Sequence, residues 1–138
     1  MSQDFEDIRA LVEGKISTDW TTTPIDYENV PESPALRVAK EGGSPWIRVT
    51  IRNGTGALIS MADTKVYRTP ALVIISVFTA QKTGTRLNHQ YNSALADIWR
   101  GYFIPNVSFK TPSEETTGES GQWFQINLSI PFHWDNII

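Results

Sequence analysis

A nearly uninterrupted apolar run between Thr69 and Thr79 constrains the fold more than any other part of the sequence. Its odd-numbered and even-numbered positions are both apolar, and β-branched residues are frequent in it. A strand of this kind is covered on both faces, and β-branched residues suit a pleated backbone. The run therefore predicts a strand in the middle of a sheet.

A helix is predicted directly after this strand. Turn-forming residues fill Ala80–Thr85, and from Leu87 onward the apolar residues follow the period of an α-helix. Gly101 and Pro105 set its C-terminal limit. The predicted apolar stripe consists of Leu87, Tyr91, Ala94, Leu95, Ile98 and Tyr102, and the opposite face carries Gln90, Asn92, Asp97 and Arg100.

Two further strands are predicted from alternating apolar and polar residues. Trp46–Arg52 alternates cleanly, and the Asn53-Gly54 dipeptide after it predicts a hairpin that pairs this strand with Ala57–Ala62. The segment Gln122–Trp134 is the longest alternating run in the chain. Its Pro131 has no backbone N–H, which predicts an edge strand or a bulge at that position.

The remaining segments predict one helix, two short strands and two irregular stretches. Ser2 is expected to cap a helix over about Gln3–Ile16, and short strands are expected within Pro24–Val30 and at Val107–Lys110. Pro31 and Pro34 predict an irregular stretch to about Gly43. The polar segment Thr111–Gly121 predicts a mobile or functional loop.

Together these elements predict one domain over residues 1–138 with an α+β fold, namely a mainly antiparallel sheet with two helices packed on one face. The face without helices is expected to be amphiphilic and to meet either solvent or a partner. The positions predicted on it are Trp46, Arg48, Thr50, Arg52, Gln125 and Asn127.

Composition excludes several classes of protein. The chain has no cysteine, which excludes disulfides, thiolate metal sites and a cysteine nucleophile. Its formal net charge of -3 disfavours a bulk nucleic-acid binder. The acidic N-terminal residues do not resemble a signal peptide, and no apolar run reaches the roughly 20 residues that span a bilayer.

The motifs of enzymatic chemistry are equally sparse. His89 and His133 are the only histidines and are far apart in the sequence, and His133 and Asp135 are too few ligands for a metal site. Lys82-Thr83-Gly84 matches a β-lactamase motif, but the chain has no Ser-x-x-Lys partner. We therefore expect no enzyme activity, no catalytic residue, no cofactor and no metal.

The basic residues around the central strand admit more than one interpretation. Arg48 and Arg52 lie on one face of one predicted strand, and Lys65, Arg68, Lys82 and Arg86 flank the central strand. Ordinary surface charge is the simplest interpretation. An oppositely charged neighbouring subunit is the functional alternative, since such pairs fix the register of an interface. Passing double-stranded DNA is a third, which the net charge disfavours.

The order of these elements resembles that of the tail terminator proteins of long-tailed phages, the lambda-like family that also includes neck and tail-completion proteins. The matching segments cover nearly the whole chain: Asp4–Ile16, Pro24–Asn29, Trp46–Arg52, Tyr67–Pro70 leading into Ala71–Phe78, the Gly84-Thr85 turn, Leu87–Tyr102 and Gln122–Trp134. The most family-like piece is Arg68-Thr69 before Leu72–Phe78, with Gly84 opening the helix.

This resemblance implies a structural virion protein. Such proteins form a homohexameric ring at the head-proximal end of the tail tube, stop tube polymerisation and join the tail to the head connector. The implied partners are further copies of the chain, the tail tube protein and the connector or neck proteins. DNA would pass through the lumen only as cargo, no membrane is implied, and the expected location is the virion tail after assembly in the host cytoplasm.

Interface candidates follow from this reading. They are the spare tryptophans, the basic residues of the strands and turns, and the carboxylates of the predicted polar loop: Trp46, Trp123, Arg48, Arg52, Arg68, Lys82, Arg86, Glu114 and Glu115. Three other functions remain open: another neck, head-completion or baseplate adaptor of similar fold, a small-molecule or enzyme domain, and a nucleic-acid-binding module.

Overall fold

In the computed structural model, which describes residues 4–61 and 63–137, an eight-stranded mixed sheet carries three helices, so the α+β class is confirmed. The elements in chain order are α1 (Phe5–Asp19), β1 (Ile25–Tyr27), α2 (Pro34–Gly42), β2 (Trp46–Asn53), β3 (Ala57–Met61), β4 (Lys65–Ala80), α3 (Arg86–Trp99), β5 (Phe103–Ile104), β6 (Val107–Phe109), β7 (Ser113–Ser120) and β8 (Trp123–Ile137). The predictions made for Ser2, Gln3 and Ala62 fall outside the described residues.

The apolar run forms the middle of the sheet, as predicted. It belongs to β4, which begins earlier than expected, at Lys65, and pairs antiparallel with β8 along its whole length. On its other side β4 pairs first with β3 and then with β2. The main strand order is β1-β2-β4-β8-β6-β5, with β3 added beside β4 and β7 beside β8.

Both predicted helices, α1 and α3, pack on one side of this sheet, which we call the inner face. Ile8, Val12 and Ile16 of α1 are fully buried there. They share a core with the odd-numbered residues of β4 and the even-numbered residues of β8, including Val73, Ile75, Val77, Leu128, Ile130 and Phe132. Each fully buried aliphatic side chain of this kind contributes about 1.5–3 kcal/mol.

Helix α1 begins at a different cap from the predicted one. The Asp4 side chain accepts a hydrogen bond from the Asp7 backbone N–H at 2.8 Å, and the Asp7 side chain accepts one from the Asp4 N–H at 3.1 Å. This reciprocal capping box satisfies two backbone donors that would otherwise lack partners. The helix then continues to Asp19, three residues beyond the predicted end.

The predicted apolar stripe of α3 is confirmed in part. Leu95 is buried and Tyr91, Ile98 and Tyr102 pack against the core, whereas Leu87 and Ala94 are exposed. The other buried residues of the helix are Asn88, Asn92, Ala96 and Trp99, so the placement of Asn92 on the opposite face is wrong. Two asparagines point inward because the sheet supplies partners for them. Asn88 accepts a hydrogen bond from the Thr79 hydroxyl at 2.7 Å and donates to the Val77 carbonyl at 3.2 Å.

Helix α2 occupies the stretch predicted to be irregular. Ser33 accepts a hydrogen bond from the Leu36 N–H at 3.1 Å, and Pro34 opens the first turn. Proline is favoured there because that N–H needs no partner. Gly43 ends the helix with a left-handed φ of 74°. Unlike α1 and α3, α2 packs on the other side of the sheet, the outer face, where its Leu36 belongs to a second buried cluster.

The predicted hairpin at Asn53-Gly54 does not form. The Gly54 N–H donates to the Pro70 carbonyl at 2.8 Å, so the chain continues along β4 instead of turning back. A side chain at Gly54 would have its Cβ within 3.2 Å of that carbonyl oxygen. Glycine is therefore needed for close approach, and β3 pairs with β4 and not with β2.

The polar segment predicted to be a loop is mostly an edge strand. β7 pairs antiparallel with β8 from Ser113↔Ser129 to Ser120↔Trp123. Strand β8 is consequently internal and not at an edge. Its Pro131 accepts a hydrogen bond from the Lys110 N–H at 2.8 Å on the side away from β4. The Pro131 nitrogen, which carries no hydrogen, faces the same side as this carbonyl. No hydrogen bond of the β4–β8 ladder is therefore lost.

One strand pair is parallel in a sheet that was predicted to be mainly antiparallel. β1 pairs parallel with β2, with Asp26 beside Arg48. Helix α2 provides the crossover between the two strands. A parallel pair requires such a connection, and an irregular stretch was predicted in place of this helix.

Candidate interaction surface

Cross-strand registers define the outer face of the sheet. One row crosses four strands, from Arg48 through Ser76 and Asn127 to Glu115. Directly paired residues in a sheet point to the same side, so these side chains share the outer face. Arg52 lies opposite Leu72 on the same face. The structure therefore has the predicted amphiphilic face, and Arg48, Arg52 and Glu115 all lie on it.

Trp46 and Trp123 lie on this face but are not displayed on it. Trp46 is 3% exposed and Trp123 is 9% exposed. The Trp46 ring stacks on the Phe78 ring with centroids 4.1 Å apart. The Trp123 ring is nearly perpendicular to the Trp46 ring, with centroids 5.9 Å apart. Leu36 of α2 covers them. In this conformation the two tryptophans hold α2 on the sheet, which corrects the expectation of exposed aromatic surface.

Arg48 is held in place at the border of this cluster. Its Nε donates to the Asp26 carboxylate at 3.1 Å. Its guanidinium carbon lies 5.3 Å from the ring centroid of Trp46 and 5.2 Å from that of Phe78, which are cation–π distances. The charge of Arg48 is thus partly compensated by its own chain, while the side chain stays exposed.

A two-point ion pair joins β4 to β8 at the opposite end of the outer face. The Arg68 guanidinium donates to both Asp135 carboxylate oxygens, at 2.8 and 3.0 Å. These hydrogen bonds hold the pKa of the Asp135 carboxyl below its ordinary value of 3.8 and raise the pKa of Arg68. Arg68, an interface candidate, therefore already has a partner within the chain.

This pair predicts a small acid-dependent loss of stability. A carboxyl whose pKa is lowered by folding stabilises the fold above its unfolded pKa, and that contribution disappears as the pH falls through the lowered value. We expect Asp135→Asn to lower the free energy of unfolding at neutral pH by about 1 kcal/mol or less, since Arg68 is partly exposed.

Urea unfolding at neutral pH and at pH values below 3.8 measures this effect. The stability difference between wild type and Asp135→Asn should shrink toward the acid side. The conservative variant Glu115→Gln is the control, because Glu115 is exposed. A difference that grows on acidification would contradict the assignment of the lowered pKa to this pair.

A shallow apolar groove of about 440 Å³ lies beside the ion pair. Pro70, Pro131 and His133 line it from β4 and β8, and Ala57 and Ile59 line it from β3. Burial lowers the pKa of His133 below its ordinary 6.5, and the charge of Arg68 lowers it further. His133 thus favours its neutral form in this half-buried position on the outer face.

The acidic edge of the sheet is formed by β7. Glu114 points to the inner face, where its carboxylate pairs with His89 Nδ1 at 2.9 Å and accepts a hydrogen bond from Asn92 at 3.1 Å. Glu119 pairs with Lys82 at 3.1 Å. Of the two predicted loop candidates, both of them exposed, Glu114 therefore ties β7 to α3, and Glu115 points to the outer face.

The opposite edge of the sheet carries exposed apolar side chains on β3. Met61 is 80% exposed and Ile59 is 48% exposed. Sequence reasoning missed these residues because it placed β3 inside a hairpin with β2. A run that is apolar at nearly every position gives no periodic signal that separates a buried strand from an exposed edge. Arg86, the last basic candidate, begins α3 and is exposed.

The structure brings few chemically reactive groups together. His89 lies on α3 at the inner face and His133 on the outer face, so the sheet separates the two histidines. Within residues 4–61 and 63–137 no three His, Asp or Glu side chains are arranged to hold a metal ion. The three helices described are all too short or too polar to cross a membrane.

Comparison with known proteins gives a likeness of fold. No family profile matches the sequence, and no curated protein matches it. One solved structure, of a protein known only by a sequence identifier, is similar with a TM-score of 0.64 at 16% sequence identity. The alignment covers 96% of this chain and 96% of that one. At this identity the likeness concerns the fold alone.

Proposed function

We propose that this chain is a phage tail terminator that forms a homohexameric ring at the head-proximal end of the tail tube. The observation that supports it most is the element order. The N-terminal helix, the long central strand, the helix after it and the long last strand occur in the order of the resemblance described above. The function is then geometric: the ring ends tube polymerisation and offers the head connector a surface to join.

The shape of the sheet is consistent with this role. Its two edges differ in character: the edge at β3 is apolar and the edge at β7 is acidic. A cyclic ring is built from heterologous contacts, in which one patch meets a different patch on the next subunit. The partners under this proposal are other copies of the chain, the tube protein below the ring and the neck proteins above it.

Removing the protein from a phage that encodes it tests this function. Electron microscopy of lysates should show overlong, headless tails, because nothing stops the addition of tube subunits. Supplying the wild-type chain in trans should restore tails of uniform length. Tails of normal length that fail to join heads would instead assign the chain to a neck adaptor, and normal infectious particles would refute both.

A further inference from the structure

The two most exposed strands of the sheet are edge strands on opposite sides. Seven of the eight β7 residues and four of the five β3 residues are exposed, as read from their burial patterns. In the described part of the chain β3 pairs with β4 alone and β7 with β8 alone. Each strand therefore has one row of backbone donors and acceptors without a strand partner.

The free edge of β3 lacks the charged residues and prolines that protect most edge strands against pairing. Natural edge strands carry charges, prolines, bulges or short lengths that block the addition of another strand. Here Leu58, Ile59 and Met61 are exposed, and the five-residue strand contains neither a charge nor a proline, although its register with β4 shifts between Leu58 and Ser60. An edge of this kind either aggregates or has a partner strand in the functional assembly.

Charge indicates which strand that partner is. The segment from Arg52 to Arg68 has three basic residues and one acidic residue, Asp63. Lys65 is paired directly with Met61 of β3, and Arg52 lies near the end of β2, five residues before β3 begins.

The β7 segment has three glutamates and no basic residue. Glu114 and Glu119 are paired with His89 and Lys82 of their own chain, so Glu115 is the carboxylate that a neighbouring copy can meet. The basic residues near β3 are complementary in charge to Glu115.

We infer that β7 of one copy adds to the free edge of β3 of the next copy, extending the sheet between subunits. This inference rests on the proposed function, because it names the contact that would build the ring. Backbone hydrogen bonds along the added strand would supply affinity, and attraction between Glu115 and the basic residues Arg52 and Lys65 would fix the register.

Charge bears on one of the symmetric alternatives. Pairing β7 with β7 would oppose the Glu115 side chains of two copies, and like charges directly across a sheet are destabilising. β3 carries no charge, so pairing β3 with β3 is distinguished by oxidation of the Ser60→Cys variant, which would then give dimers. A heterologous β3–β7 contact closes a ring where the rotation between neighbouring subunits closes.

Disulfide trapping tests the contact directly, because the natural chain has no cysteine. Ser60→Cys together with Thr117→Cys in one chain should give a ladder of cross-linked species on oxidation, ending at the ring size. Each single-cysteine variant should stay uncross-linked, since a heterologous contact never places a residue beside its own copy. Dimers of Ser60→Cys or of Thr117→Cys alone would overturn the inference.

Charge reversal gives a second measurement that does not depend on cysteine geometry. Arg52→Glu with Lys65→Glu, and separately Glu115→Arg, should each weaken self-association by about tenfold or more, as expected for like charges at an interface. Combining the three substitutions in one chain should restore association. The control is Arg37→Glu on α2, an exposed cation away from both edges.

Sedimentation velocity measures the assembly state, and circular dichroism checks that each variant is folded. Wild-type protein that stays monomeric, or reversal variants that associate like wild type, would overturn the inference. A folded combined variant that remains monomeric would overturn it too. The proposed function would survive each of these results, because its own test is tail length in the absence of the protein.

Discussion

Replacing Trp99 with alanine is expected to lower the free energy of unfolding by about 3–5 kcal/mol, the usual cost of deleting a large buried aromatic side chain. Trp99 is almost fully buried between α3 and the sheet. Its ring contacts Phe109 at a centroid distance of 5.0 Å and Tyr102 at 6.1 Å. Urea unfolding followed by circular dichroism measures the change.

Two further variants make this prediction specific. Trp99→Phe should cost much less, because it keeps most of the ring and removes an indole N–H that has no partner among the described protein groups. Phe103→Ala is the matched control, since that aromatic ring is 82% exposed. If Phe103→Ala proved as destabilising as Trp99→Ala, the position of the core would be wrong.

Replacing Asn88 with alanine is expected to cost about 2–3 kcal/mol, as for other broken buried hydrogen-bond networks. Asn88 is fully buried and links α3 to the central strand. The variant leaves the Thr79 hydroxyl without its acceptor, and the Val77 carbonyl loses the amide hydrogen bond. Gln90→Ala, an exposed amide on the same helix, is the control.

The same urea titration measures Asn88→Ala and Gln90→Ala. A loss within about 0.5 kcal/mol for both variants, the range of ordinary surface substitutions, would mean that the Asn88 contacts do not contribute to stability. Hydrogen exchange gives an independent readout. The amides of α3 should exchange faster in Asn88→Ala, because the helix loses its polar attachment to β4.

The strands that form the core could be predicted because burial leaves a signal in the sequence. The inward-facing residues of β4 are buried, and its outer face is buried at Ser76 and Phe78, whereas Pro70 is exposed and Leu72 and Ile74 are half-buried. β8 alternates because one face meets α1 and α3. Their pairing with each other also agrees with the expected central position of the apolar run. These two strands account for most of the architecture.

The wrong predictions concern elements whose residues are exposed or whose polar groups have hydrogen-bond partners within the fold. β7 is an edge strand of polar residues, so no hydrophobic period marks it. α2 starts at Ser33-Pro34, a helix-opening pair, although Pro31 and Pro34 also fit an irregular stretch. The apolar stripe of α3 predicts only some of its buried residues, because Asn88 and Asn92 also face the core and only the positions of their partners on the sheet explain that orientation.

The candidate surface could be predicted in part. Period-two alternation correctly placed Arg48 and Arg52 on the face away from α1 and α3. It could not show that Trp46 and Trp123 are covered, since that depends on α2, or that Arg68 is paired with Asp135, which lies far away in the sequence. Whether the exposed candidates contact a partner stays a prediction.

The long β4–β8 pairing also constrains how the chain is made. β4 is synthesised early, but its partner strand is Trp123–Ile137, near the C-terminal end of this sequence. Contacts between such distant segments slow folding. A nascent chain that has been synthesised as far as β7 leaves the β8-facing edge of β4 unpaired. The core can therefore form only after β8 has also emerged from the ribosome. Chaperone demand during synthesis should therefore be greatest just before β8 emerges.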